Sequence, residues 1–243
     1  MSTLLRAELL KLRTTRTFAA LVVSALGLSL LVVVLTTAIS HSFTKQDVRE
    51  LYASDLSGLF IFLLGIMGMA GEWRHRTITA TALAAPNRVN LLASKVIAYA
   101  LAGALLSLVV SVSIMVVGSV ILSARDLTTL GVADLADALW RNLVLAAFSG
   151  ALGVCIGGIL RNQVVAIVGT LIFALVVEPA VIALAPHVGQ FGFTSGAPNA
   201  VLDIPPVDGH TQLTLVEGVL AMFAWLGVGF AAAAALLVRR DLV

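Results

Sequence analysis

The chain has 243 residues, of which 60% are apolar and only 12% charged, with a net charge of +2 and a pI near 9.0. Soluble domains carry about 25% charged residues, so one water-soluble core is excluded, and so small a net charge leaves no nucleic-acid footprint. The single cysteine, Cys155, excludes an internal disulfide framework and a cysteine-based zinc site, and its apolar run marks it as a small buried thiol.

The chain opens with "LLRAELLKLRTTRTF", Leu4–Phe18. At about 100° per residue Leu5, Leu9 and Leu12 share one face, Arg6 and Arg13 flank it, and Lys11 lies farther round. This pattern predicts an amphipathic helix lying at a membrane interface, its stripe in lipid and its cations among anionic headgroups. Thr14 and Thr15 would mark the bend into the first apolar run.

Six apolar runs come next: 18–39, 56–71, 96–122, 143–160, 164–184 and 219–238. A spanning helix needs about 20 apolar residues, and the runs lack the alternation of a β-barrel, so an all-α membrane protein with six spans is expected. The first run is too long for the core of a signal peptide and reads as an uncleaved anchor, although "TAIS" at Thr37–Ser40 offers small residues. The second is short, and its start can slide back toward Tyr52. The third is long enough to tilt or project. The fourth carries Gly150, Gly153, Gly157 and Gly158, and the second Gly65, Gly68 and Gly71; spacing of this kind lets helices approach closely, within one subunit or across a dimer seam. The whole chain, 1–243, reads as one transmembrane domain.

With the N-terminus in the cytoplasm, 11 Lys or Arg residues fall on the inner side and 4 on the outer, and the 185–218 loop has none. The positive-inside rule therefore puts both termini inside.

Between the second and third runs lies "AGEWRHRTITATALAAPNRVNLLASK", Ala70–Lys95. Glu72–Leu83 has no Pro or Gly and predicts a short helix. "APNR" at Ala85–Arg88 breaks it, and Asn87 can cap a new helix that runs through Lys95 into the third span. A plain connector needs only a few residues, so this length suggests a docking surface for a cytoplasmic partner.

Glu178, followed by Pro179, is the only acid inside an apolar run. Such a charge costs about 2.5–3.5 kcal/mol on insertion scales and must be shielded from lipid. Two readings stand: a residue of a transport pathway or outer gate, or the base of an external re-entrant hairpin, bonded to backbone amides there.

No G-x-x-x-x-G-K-[ST] phosphate loop, H-E-x-x-H pattern or paired-histidine spacing occurs. His41, His75, His187 and His210 all fall in loops. "GFTSG" at Gly192–Gly196 contains a serine between glycines but lacks the strand–turn–helix setting of a nucleophile, and reads as an external turn. No catalytic, cofactor or metal residue is expected.

The polar segment resembles the cytoplasmic loop of ABC-2 permeases, the membrane subunits of bacterial ABC exporters. Their pattern is an acid, Gly-Thr, Leu, Pro, Arg, and a Lys heading the third span. Glu72, Thr77, Leu83, Pro86, Arg88 and Lys95 match it in order, and Arg76 stands where the glycine would be. The six-span layout and basic N-terminal helix are similar as well. The resemblance implies a permease without enzymatic activity, forming the pathway as a homodimer or with a related subunit in a bacterial cell membrane. Separate ATPase subunits would bind ATP and Mg. Glu72, Trp73, Arg74, Arg76, Thr77, Leu83, Pro86 and Arg88 would couple to those subunits through a coupling helix over Glu72–Leu83. The cargo would be hydrophobic or amphipathic. An ion-gradient-driven secondary transporter, which would show several intramembrane acids or broken helices, and a non-transporting scaffold remain as alternatives.

Overall fold

The computed structural model describes residues 2–74, 87–206 and 212–239. Its described elements are helical. They are α1 (Ser2–Thr14), α2 (Arg16–Ile39), α3 (Lys45–Ala53), α4 (Ser57–Arg74), α5 (Arg88–Ala124) and α6 (Val132–Leu160). After these come α7 (Gln163–Ile172), a π-helical turn (Phe173–Val177), α8 (Glu178–Leu184), α9 (Pro186–Gly189), α10 (Gly196–Leu202) and α11 (Leu215–Arg239). Among the described residues six segments are long and apolar enough to cross a membrane: α2, α3 with α4, α5, α6, α7 through α8, and α11. The bundle has a near end, which carries α1 and the close of α11, and an opposite far end.

The spans differ from the sequence expectation at their edges. The second begins at Lys45 and is broken at Ser54–Leu56, so Asp55 lies within it and Glu178 is not the only acid in a span. The third begins at Arg88 and runs 37 residues. At 1.5 Å per residue that is about 54 Å, well beyond a hydrocarbon core of about 30 Å. Asn87 caps it, accepting from the backbone N–H groups of Val89 and Asn90. The fourth begins at Val132, and Asp134, Asp137 and Arg141 occupy its first turns.

Helix α6 is the centre of the bundle, packed against α4, α5 and α11. Its glycines set how close the neighbours come. A Cβ on Gly153 would lie 2.3 Å from the Phe62 carbonyl oxygen on α4, and one on Gly150 would lie 2.4 Å from the Tyr99 carbonyl oxygen on α5. The same closeness holds from the partner side, where a Cβ on Gly65 would meet the Gly150 carbonyl at 2.6 Å. The small-residue spacing thus serves packing within this chain. Dispersion grows with such contact, and in lipid it replaces the hydrophobic drive that is missing between apolar helices.

The remaining spans keep broad apolar faces outward. Val23 and Ile39 on α2, Leu175 in the π turn and Phe223 on α11 are more than 60% exposed. Such faces are costly in water and suited to hydrocarbon. The π turn has a local cause. Pro179 has no N–H and its ring crowds the carbonyl four residues back, and just before it the helix widens so that the Glu178 N–H bonds the Phe173 carbonyl.

Gly153→Leu is expected to abolish the folded species in detergent, because the α4 backbone blocks the added carbons; overpacking costs about 1–3 kcal/mol even where side chains can yield. Gly169→Leu is the control, since no atom lies within 4 Å of its would-be Cβ. Size-exclusion chromatography of the two variants should separate them: an aggregated or absent Gly153 variant beside a normal Gly169 variant.

Candidate functional site

At the near end four charged side chains meet. Lys95, one turn beyond Leu91 and Leu92 on α5, is wholly buried. Its Nζ donates to Glu8 Oε2 at 2.9 Å and to Glu72 Oε1 at 2.7 Å. Lys11 Nζ joins the same two acids, at 2.9 Å to Glu8 Oε1 and 3.2 Å to Glu72 Oε1. Three elements are therefore tied by two acids and two amines: α1 by Glu8 and Lys11, α4 by Glu72, α5 by Lys95. Each ion's desolvation costs several kcal/mol and is offset only by such close, hydrogen-bonded pairing.

The cluster depends on how α1 lies. Leu12 is buried in the bundle core, and Leu5 and Leu9 pack against the same cluster. The stripe expected to enter lipid packs on protein instead, chiefly along α5. Glu8 sits beside Leu12 at the edge of that stripe, and so is carried inward. Burial alone would raise its carboxyl pKa, but Lys95 and Lys11 outweigh burial and hold it below the ordinary range. Burial acts downward on the Lys11 ammonium, and Glu8 and Glu72 outweigh it and hold the pKa above the ordinary range.

Trp73 and Arg161 form the next contact, with the guanidinium 4.0 Å from the indole centroid. Arg161 also donates to the Leu236 carbonyl at 2.9 Å, and Arg88 donates to the Leu237 carbonyl at 2.9 Å. Both cations thus meet the last carbonyls of α11, where a helix end favours positive charge. Arg74 is exposed. Beside the cluster lies an open cavity of about 740 Å³, walled by Leu64, Met67 and Tyr99 and edged by Lys11, Glu72 and Arg74.

Of the residues expected to couple to a partner, Glu72, Trp73, Arg74 and Arg88 are found at this end. Arg76, Thr77, Leu83 and Pro86 lie outside the described residues, as does most of the expected Glu72–Leu83 helix. Lys95, expected to head the third span on the inner side, is the buried centre of the cluster. Sequence reasoning missed Glu8. Its signal was an acid at the edge of the apolar stripe, beside Leu12, which needs a buried cation.

Glu178 is at the far end, 2% exposed. Its Oε1 accepts from the backbone N–H groups of Ser195 (2.7 Å) and Gly196 (2.8 Å) and from the Ser195 hydroxyl (2.9 Å). Its Oε2 accepts from the Thr194 N–H at 3.0 Å and from the Thr194 hydroxyl. A Cβ on Gly192 would fall 2.1 Å from Oε1, so glycine is required where the loop closes over the acid. The loop is held further by Phe193, stacked on Phe173 at 4.8 Å and tilted against Trp225 at 5.2 Å. The "GFTSG" turn thus serves as donor set for Glu178.

Among the described residues no cluster of His, Cys, Asp and Glu could hold a metal ion. The near-end charges are matched to one another and the far-end acid to a loop, an arrangement that holds helices in place. These features define a multi-pass helical membrane protein. The family model for ABC-2 family transporter proteins matches residues 4–177, and the chain belongs to that family. It is an ABC transporter permease, a membrane subunit. A comparison with functionally curated proteins finds no match.

The charge cluster carries a pH signature. Glu8 is more acidic folded than unfolded, so its stabilisation is present above the ordinary carboxyl range and lost as pH falls through the lowered value. Lys11 is the mirror case, its contribution lost as pH rises through the raised value. Glu8→Gln should cost about 3–5 kcal/mol at pH 7, because it takes one carboxylate from the buried Lys95. The gap to wild type in detergent thermal melts should close as pH falls below about 4. A gap that stays constant down to about pH 3 would show that Glu8 is not held as a paired carboxylate.

Proposed function

We propose that this chain is the permease subunit of an ATP-driven exporter. It works as a dimer of two permease copies, with both termini and the 75–86 segment in the cytoplasm of a bacterial cell. Separate ATPase subunits dock at the near end, bind ATP and Mg, and do the hydrolysis. The chain itself forms one transmembrane domain and supplies no catalytic group. Its cargo is hydrophobic or amphipathic.

One observation carries the reading. The polar segment between the second and third spans springs from Glu72, and Glu72 is ionically joined through Lys95 and Lys11 to α1 and α5. A push on that segment is thus delivered to three elements at once. Coupling of this kind needs a differential contact free energy of only about 1–3 kcal/mol. Arg74, Trp73 and Arg88 border the same face, and the chemistry of ATP is left to the partner.

The secondary-transporter alternative gains an acid in Asp55, but Glu178 is filled by loop donors and offers no open proton or ion site. The scaffold alternative is separated by coupling. Arg74→Glu, at an exposed position, should leave the permease folded and able to bind its partner ATPase subunit. In proteoliposomes it should cut transport per ATP hydrolysed by about tenfold. Wild-type stoichiometry in that variant would remove the near end as the mechanical link.

Orientation is checked separately in a Cys155→Ala background. A membrane-impermeant maleimide on intact cells should label Lys45→Cys at the far end and leave Arg74→Cys unlabelled until the cells are opened. The reverse pattern would contradict the proposed topology.

A further inference from the structure

The break between α3 and α4 places Asp55 at the far rim of the bundle. From Ser57 to Arg74 the helix rises about 26 Å, so Asp55 lies near one boundary of a hydrocarbon core of about 30 Å. Asp55 Oδ2 accepts from the hydroxyls of Ser107 and Ser111, both at 2.7 Å, and Oδ1 accepts from the Ser57 N–H at 2.7 Å. Asn142 fixes this arrangement, donating to Ser111 Oγ at 3.0 Å and to the Tyr52 carbonyl at 2.9 Å. All of these donors are neutral. Among the described residues Asp55 has no Lys or Arg within ion-pair distance, in contrast to Glu8 and Glu72.

Asp55 also forms part of the wall of a cavity of about 190 Å³ between α4, α6, α7 and the Phe193 turn. Apart from Asp55 the lining carries no charged group. It is chiefly apolar, and Phe62, Phe148 and Phe193 bring three aromatic rings to it. A charge at membrane depth calls for a partner, and aromatic faces attract cations. A chiefly apolar pocket with a few placed polar groups, here Asp55 with Ser149, Thr170 and Thr194, is the usual build of a small-molecule site.

We propose that this cavity binds a soluble amphipathic monocation, its ammonium at Asp55 and its apolar body among the phenylalanines. A cavity of about 150 Å³ holds benzene, so a body of benzyl size fits, whereas the paired acyl chains of a phospholipid do not. Capping α4 accounts for one oxygen of Asp55, through the Ser57 N–H. It does not account for the apolar cavity that Asp55 also lines. The proposal goes beyond the exporter reading and stands or falls without it, because binding is measured on the permease alone.

The test uses the full chain in neutral maltoside micelles, with benzyltrimethylammonium as probe and benzenesulfonate as the anion of similar size, by equilibrium dialysis. One saturable site per chain is expected for the cation and none for the sulfonate. Asp55→Asn should weaken cation binding by at least about tenfold, or about 1.4 kcal/mol. Ala174→Phe fills the cavity and leaves the donors of Asp55 in place, so it should remove binding even if the Asp55 variant does not fold. Absence of saturable cation binding, equal binding of the sulfonate, or wild-type affinity in either variant would overturn the proposal.

Discussion

Lys95 is an ammonium with no access to solvent, held between a carboxylate from α1 and one from α4. That contact is the constraint on which the near end depends. Removing either partner would leave a buried charge unbalanced, a loss of about 3–5 kcal/mol, so the three elements must be present together. Helix α1 is thereby made part of the bundle. Its leucines could have lain in lipid, but Glu8 could not, and the pairing of Glu8 with Lys95 decides which way the helix faces. The same cluster stands at the root of the polar segment that the proposed ATPase would move.

The two ends solve the problem of membrane charge differently. At the near end acids are met by amines, which attract over distance and favour no single hydrogen-bond direction. At the far end Glu178 is met by amides and hydroxyls of a closed turn, an arrangement that depends on close backbone placement and on a glycine at 192. Between the ends α6 brings glycines against α4 and α5, so the core of the bundle is set by backbone contact. Stiff packing in the middle and ionic ties at one end suit a body that must pass on a displacement rather than absorb it.

Much of the fold was legible in the sequence, and the reasons are specific. Apolar run length gave the six spans because lipid permits few alternatives. Asn87 was readable as a cap because its side chain acts on residues two and three positions away. Glu178 stood out through its cost, and the hairpin reading named the kind of donor, though not Thr194, Ser195 and Gly196. The misses were long-range. Lys95 was legible as the cation heading the third span but not as a buried one, because composition shows charge and not the partner 87 positions away. Asp55 escaped because the apolar run itself begins at Leu56, and a start sliding back toward Tyr52 carries no sign of a half-buried acid. Its partners Ser107 and Ser111 lie 52 and 56 positions away, which no local pattern announces.

The central claim is that Lys95 works as an ionic joint between Glu8 and Glu72. Charge exchange tests it most directly, by comparing the yield of monodisperse protein for Lys95→Glu alone with that for Lys95→Glu combined with Glu72→Lys. The single reversal puts three acids against one amine and should yield almost no folded protein. The exchange restores two acids and two amines and should recover a substantial part of the wild-type yield. A single reversal that folds as well as wild type, or an exchange that rescues nothing, would contradict the account.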